Sequence, residues 1–154
     1  MGIFPFSKKQ PLFDEDESRR IVSAIRASEK KTSGEVRVYI EAKNPYVSPM
    51  DRAIEVFAKL KMDQTEHRNA VLLYIAHKHH ELALYADEGI YQKAGEAFWK
   101  AEVIKMISNI KDAHLVEGIV QCVLDIGATL EKAFPYEPAD DKNELPDDIV
   151  FGKL

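Results

Sequence analysis

The side chains best suited to chemistry in this sequence are oxygen donors. Glu35, Asp63, Asn69, Asp87 and Glu88 offer four carboxylates and an amide oxygen. Hard divalent cations such as calcium and magnesium take such oxygens, several at once. These residues are scattered along the chain, so a shared site requires the fold to bring them together. Glu66 precedes Asn69 in the same polar loop, and Gly89 follows Glu88 and is expected to let the backbone turn sharply. Asp, Asn and Gly are also the ordinary residues of turns. Arg37 and Arg68 are the only positive side chains expected nearby. His77, His79 and His80 form a second cluster, but they lack the Cys or spaced fourth ligand of a zinc site. No phosphate-cradling glycine loop, nucleophile elbow or HExxH helix occurs.

The elements that must position these residues follow from periodicity. Val36, Val38 and Ile40 alternate with Arg37, Tyr39 and Glu41, which predicts a strand over 35–41. Residues 70–76 are continuously apolar, as expected of a central strand covered on both faces. Leu82, Leu84 and Ala86 alternate with Ala83 and Tyr85 in a third strand, joined to the second by His77–His80. That short link makes the pair an antiparallel hairpin.

Helices are expected over 14–31, with Ile21, Val22, Ile25 and Ser28 on the apolar face, and from Pro49 to about Met62, with Ala53, Ile54, Phe57 and Leu60. Ser48 followed by Pro49 reads as an N-cap and first helical position. Two more helices are expected over 95–110, with Phe98, Trp99, Val103 and Met106 inside, and 113–134, capped by Asp112. Tyr91, Phe98 and Trp99 read as core. The predicted fold class is α/β: a small αβα sandwich with a short mixed sheet and helices on both faces. Residues 1–12 read as an N-terminal tail, 13–135 as the domain and 136–154 as an acidic C-terminal tail, whose Asp140, Asp141, Asp147 and Asp148 are candidate extra ligands.

Connectivity then gathers the donors. A helix between the first two strands makes them parallel, and the third runs back. The start of the first strand (Glu35), the start of the second (Asn69) and the end of the third (Asp87, Glu88) therefore share one sheet edge, and the loop bearing Asp63 leads there. Glu41 lies at the far end, and its replacement by Gln is expected to leave calcium affinity unchanged.

Composition sets further bounds. At 154 residues, 45% hydrophobic and 31% charged, the chain is one globular domain by length and makeup. A net charge of −5 disfavours nucleic acid and anionic membranes, which are held by clustered Lys and Arg, and suits cations. Cys122 stands alone in an apolar helical run and reads as a buried, inert thiol. No apolar run approaches a membrane span and no signal segment is evident, so a cytoplasmic location without membrane insertion is expected.

The runs Thr32–Val38 (TSGEVRV), Asn69–Ala76 (NAVLLYIA), Ala86–Ile90 (ADEGI) and Leu115–Ile119 (LVEGI) together resemble the TPM domain family over roughly residues 14–134. The closing DDKNELPDDIVFG resembles the short stand-alone bacterial members. The resemblance implies the αβα sandwich and divalent cation binding, often calcium, at the loop edge. Some members are described as phosphatases, a plant thylakoid protein linked to photosystem repair among them, and animal members modulate membrane receptors. Ala70 and Ala86 stand where the family has glycine, and the membrane anchor and glycine-rich tail of many members do not occur. The expected function is therefore a calcium- or magnesium-binding module with a regulatory role or a protein partner. The alternative is a metal-dependent phosphatase of low specificity.

Overall fold

The computed structural model describes residues 12–137 and 148–154. Helix α1 spans Glu15–Glu29. Its start is fixed by a reciprocal cap: Glu17 N donates to Asp14 Oδ1 at 2.7 Å, and Asp14 N donates to Glu17 Oε1 at 3.0 Å. Strand β1 runs Glu35–Glu41, and helix α2 runs Pro49–Lys59 behind the Ser48 cap. A single 3-10 turn, Met62–Gln64, leads through a loop to β2, Ala70–Ala76. The histidine turn then feeds β3, Glu81–Ala86. Helices α3 (Glu88–Ala94), α4 (Glu96–Lys111) and α5 (Leu115–Ala133) follow, and Val150–Phe151 form β4.

The four strands lie in the order β3-β2-β1-β4. β1 and β2 are parallel with Glu35 opposite Ala70, and β3 is antiparallel to β2 with Ala86 opposite Val71. The pleat sorts side chains by parity. Val36, Val38, Ile40, Val71, Leu73, Ile75, Leu82 and Leu84 join Ile21 and Ile25 of α1, Met106 of α4 and Ile119, Val123 and Ile126 of α5 in the larger core. Ala70, Leu72, Tyr74, Ala76 and Ala83 meet Ala53, Val56 and Phe57 of α2 in the smaller one. All seven residues of β2 are buried, as its unbroken apolar run requires. Each large aliphatic side chain buried this way contributes about 1.5–3 kcal/mol. Gly127 lets α5 approach α1: a Cβ there would sit 2.4 Å from Ser28 Cβ.

Three features depart from expectation. Residues 88–94 form a short helix where the Asp-Glu-Gly triplet suggests a turn. Val150–Phe151 pair in parallel with Tyr39 and Ile40, so the segment read as a tail supplies the fourth strand. Asp112 ends α4 and does not start α5, whose first residue follows His114 without a side-chain cap. Asp140, Asp141 and Asp147 lie outside the described residues. Among the described residues, no helix is long and apolar enough to cross a membrane.

Candidate functional site

The expected edge exists. Glu35 N donates to Asn69 O at 3.3 Å, and Asp87 N donates to Ala70 O at 2.9 Å. Glu35 and Asp87 thus flank Ala70 on the α2 face, two strand spacings apart, or about 10 Å.

Arg68 organises one half of this edge. Its Nε donates to Asp87 Oδ2 at 2.7 Å and its Nη2 to Asp87 Oδ1 at 2.9 Å. Nη2 also lies 3.4 Å from Glu88 Oε1. Asp63 acts on the same guanidinium, whose pKa is raised first by the Asp87 hydrogen bonds and then by these charges. The bidentate geometry is that of a strong guanidinium–carboxylate pair. Asp87 is nearly buried, at 3% side-chain exposure, and also caps α3 by accepting from Glu88 N. Two of the five expected donors, Asp87 and Glu88, therefore contact one arginine.

Gly89 has a different task from the sharp turn expected of it. Its N donates to Arg68 O at 2.8 Å, and a Cβ would fall 2.1 Å from His67 O and 2.5 Å from Arg68 O. The first turn of α3 lies directly on the loop that carries Arg68. Gly89→Ala is expected to cost about 1–3 kcal/mol through this overlap, measured by urea denaturation. An unchanged midpoint would show that the two segments separate freely.

The other two donors stand apart from Arg68. Asn69 is fully buried and anchored through its N to Thr65 Oγ1 at 3.3 Å. With its Nδ2 donating to Ser33 Oγ at 3.5 Å, its Oδ1 has no hydrogen-bond partner. Glu35 is buried beside Arg37, whose pKa burial lowers while Glu29, Asp148 and Glu35 raise it. Glu29 Oε2 accepts from Val36 N at 2.8 Å, satisfying the outer edge of β1. As arranged, no group of three or more His, Cys, Asp or Glu side chains among the described residues is spaced to hold a metal ion. The donor chemistry fits a hard cation, but the Arg68 guanidinium lies among the carboxylates.

A second polar cluster, at the opposite edge, escaped the sequence. Arg52 of α2 donates from Nε to Glu41 Oε2 at 2.8 Å and from Nη2 to Glu41 Oε1 at 2.9 Å. Tyr74 Oη also donates to Glu41, and Arg52 Nη1 donates to Glu55, which accepts from Tyr46 Oη at 2.6 Å. Tyr39 stacks on Tyr74 at 6.1 Å and sits under Arg52. Glu41 therefore anchors a structural cluster of its own. The signal was the alternation itself: Arg37, Tyr39 and Glu41 face α2, and Arg52 comes one turn into that helix. Arg37 and Glu41 are buried there.

The histidine turn is also tied down. His77 N donates to Glu41 O at 3.0 Å, Lys78 N to Ala42 O at 2.9 Å and Asn44 N to His79 Nδ1 at 3.1 Å. Cys122 is buried in α5, and burial pushes its thiol pKa up, as an inert thiol requires.

A four-stranded mixed sheet, with one helix on one face and the remaining long helices on the other, defines an αβα sandwich. A family model for the TPM domain matches residues 7–129, and the chain belongs to that family. It is similar to the BA42 protein from the psychrophilic bacterium Bizionia argentinensis, with 37% identity and a TM-score of 0.85 over 96% of this chain and 100% of that one. The N-terminal domain of the cg2496 protein from Corynebacterium glutamicum shares the fold alone, at 10% identity and a TM-score of 0.58, covering 77% of this chain and 74% of that one. No curated protein matches the chain.

Proposed function

We propose that the chain is a divalent-cation-binding module that takes calcium or magnesium at the amino edge of the sheet by exchange for the Arg68 guanidinium. The observation that carries this is the excess of acid there: Asp87 and Glu88 both contact Arg68, and Asp63 adds a weaker, longer-range charge. Arg68 is 43% exposed in its side chain and can swing into solvent, whereas Asp87 is fixed. Carboxylate oxygens freed in this way suit a hard cation. Glu35 and the unpartnered Asn69 Oδ1 extend the donor set along the edge. A regulatory or partner-binding output fits such a module.

Calcium binding only to the folded form stabilises it by about 2.7 kcal/mol at a hundredfold excess over Kd. The melting temperature is therefore expected to rise with millimolar calcium, and Asp63→Asn or Glu88→Gln to blunt the rise. Glu131→Gln, on the exposed side of α5, serves as the control. Arg68→Ala is expected to lower the melting temperature in chelator, because Asp87 loses its partner, and to gain more from calcium than the parent chain. If neither protein responds to either cation, the proposal is lost. The alternative, a metal-dependent phosphatase of low specificity, needs cationic groups for the transferred phosphoryl, and Arg37 and Arg68 already face carboxylates. Hydrolysis of p-nitrophenyl phosphate that tracks Asp87→Asn would favour it.

A further inference from the structure

Among the described residues, β3 is the last strand on its side of the sheet. Asp87 N bonds inward to Ala70 O, so by antiparallel alternation residues 81, 83 and 85 also bond inward, and the N–H and C=O of Leu84 and Ala86 point away from β2. No strand among the described residues pairs with them. Beside them runs a groove of about 370 Å3, lined by Met50 and Ile54 of α2, Leu84, Tyr85 and Ala86 of β3, Tyr91 of α3, and Arg68, Asp87 and Glu88 at one end. Its apolar walls stand in solvent: Met50 is 38%, Ile54 44% and Tyr91 41% exposed. The sequence places Ile54 in a buried stripe, so its exposure is a departure that a partner would repair. Tyr91 is held in place by stacking on Trp99, whose Nε1 donates to Tyr91 O at 3.0 Å.

We propose that this groove docks an extended segment of a partner protein as an added strand along β3, with apolar side chains against Met50, Ile54 and Tyr91 and a basic residue at the Glu88 end. Unpaired edge strands take such segments through main-chain hydrogen bonds, while flanking pockets select side chains. The basic residue follows from charge: Asp87 and Glu88 outnumber Arg68 where the groove ends. The strand edge and the apolar walls hold no ligand oxygen from a side chain, so only the basic residue at the Glu88 end shares groups with the proposed cation site.

The probe is a synthetic peptide of about eight residues, alternating valine and threonine and closing on arginine, titrated against the full chain by amide nuclear magnetic resonance. Perturbed shifts and slowed hydrogen exchange are expected at the Leu84 and Ala86 amides. Affinity is expected to fall about tenfold or more, at least 1.4 kcal/mol, when the peptide closes on glutamate or when Ile54→Glu or Met50→Glu is introduced. Both substitutions fall on exposed positions, and an unchanged melting temperature and calcium response will show that the fold and the cation edge survive. N-methylation of alternate peptide nitrogens is expected to abolish binding. The proposal is overturned if Leu84 and Ala86 do not respond at millimolar peptide, or if the N-methylated peptide binds equally well. Self-association through the same amides without peptide would also overturn it, by assigning the edge to a second copy.

Discussion

Arg52→Ala is expected to destabilise the fold by about 3–5 kcal/mol, because it strands Glu41 as a buried charge without its partner. The side chains of Glu41 and Arg52 are 7% and 13% exposed, so water replaces the lost donors poorly. Urea denaturation of the variant measures the loss, and a cost under about 1 kcal/mol, the value of a surface pair, would show that the cluster is solvated. Acid titration supplies a second test. Burial raises the Glu41 pKa, but hydrogen bonds from Arg52 and Tyr74 outweigh it and leave the folded value lowered. A depressed carboxylate pKa contributes stability that is present above the unfolded value and is lost as pH falls through the folded one. The parent chain is expected to lose this contribution below the ordinary glutamate range, and Arg52→Ala to lose less of it.

Glu102→Gln is expected to do the reverse and stabilise the protein at neutral and alkaline pH. Glu102 lies on α4 at 2% exposure with Oε1 unpartnered, and Lys105 Nζ bridges it at 3.2 Å to Asp125 of α5. Burial first, and then its interactions with Asp125, push its pKa up to about 7, against the lowering by Lys105. A folded pKa raised above the unfolded value means that the contribution is whole below the unfolded value. It falls as pH climbs toward 7 and is gone above it. That displacement from the ordinary glutamate range corresponds to roughly 3 kcal/mol. The difference in stability between variant and parent is therefore expected to grow by about that amount from pH 4 to pH 8, because Gln keeps the shape without the charge. A difference independent of pH would mean that Glu102 titrates normally.

The strands were legible because their signals are local. Val36, Val38 and Ile40 alternate, and residues 70–76 are apolar throughout, so the bounds of β1 and β2 match the pattern to the residue. The gathering of Glu35, Asn69 and Asp87 was legible too, since it follows from strand direction alone. β4 was not, because two residues carry no period. α3 was missed because its Asp-Glu-Gly start reads equally as a turn and as a cap. The charges were the least legible. Arg68 reaches Asp87 from a loop residue with φ of 51°, and Arg52 reaches Glu41 across two elements. Side-chain pairing of that kind depends on three-dimensional approach, and the alternation of Arg37, Tyr39 and Glu41 marks only the face and not the partner.

The position of β4 has a consequence for how the chain matures. Its two residues follow every other described element in sequence, yet they pair with β1, the first of the described strands. During vectorial synthesis the N-terminal parts emerge and collapse first. Throughout that interval the flank of β1 at Tyr39 and Ile40 waits for a partner that the ribosome has not yet released. The nascent domain is thus exposed to wrong pairing until β4 arrives, and the Glu29 carboxylate on Val36 N is a local guard that α1 supplies early to that flank.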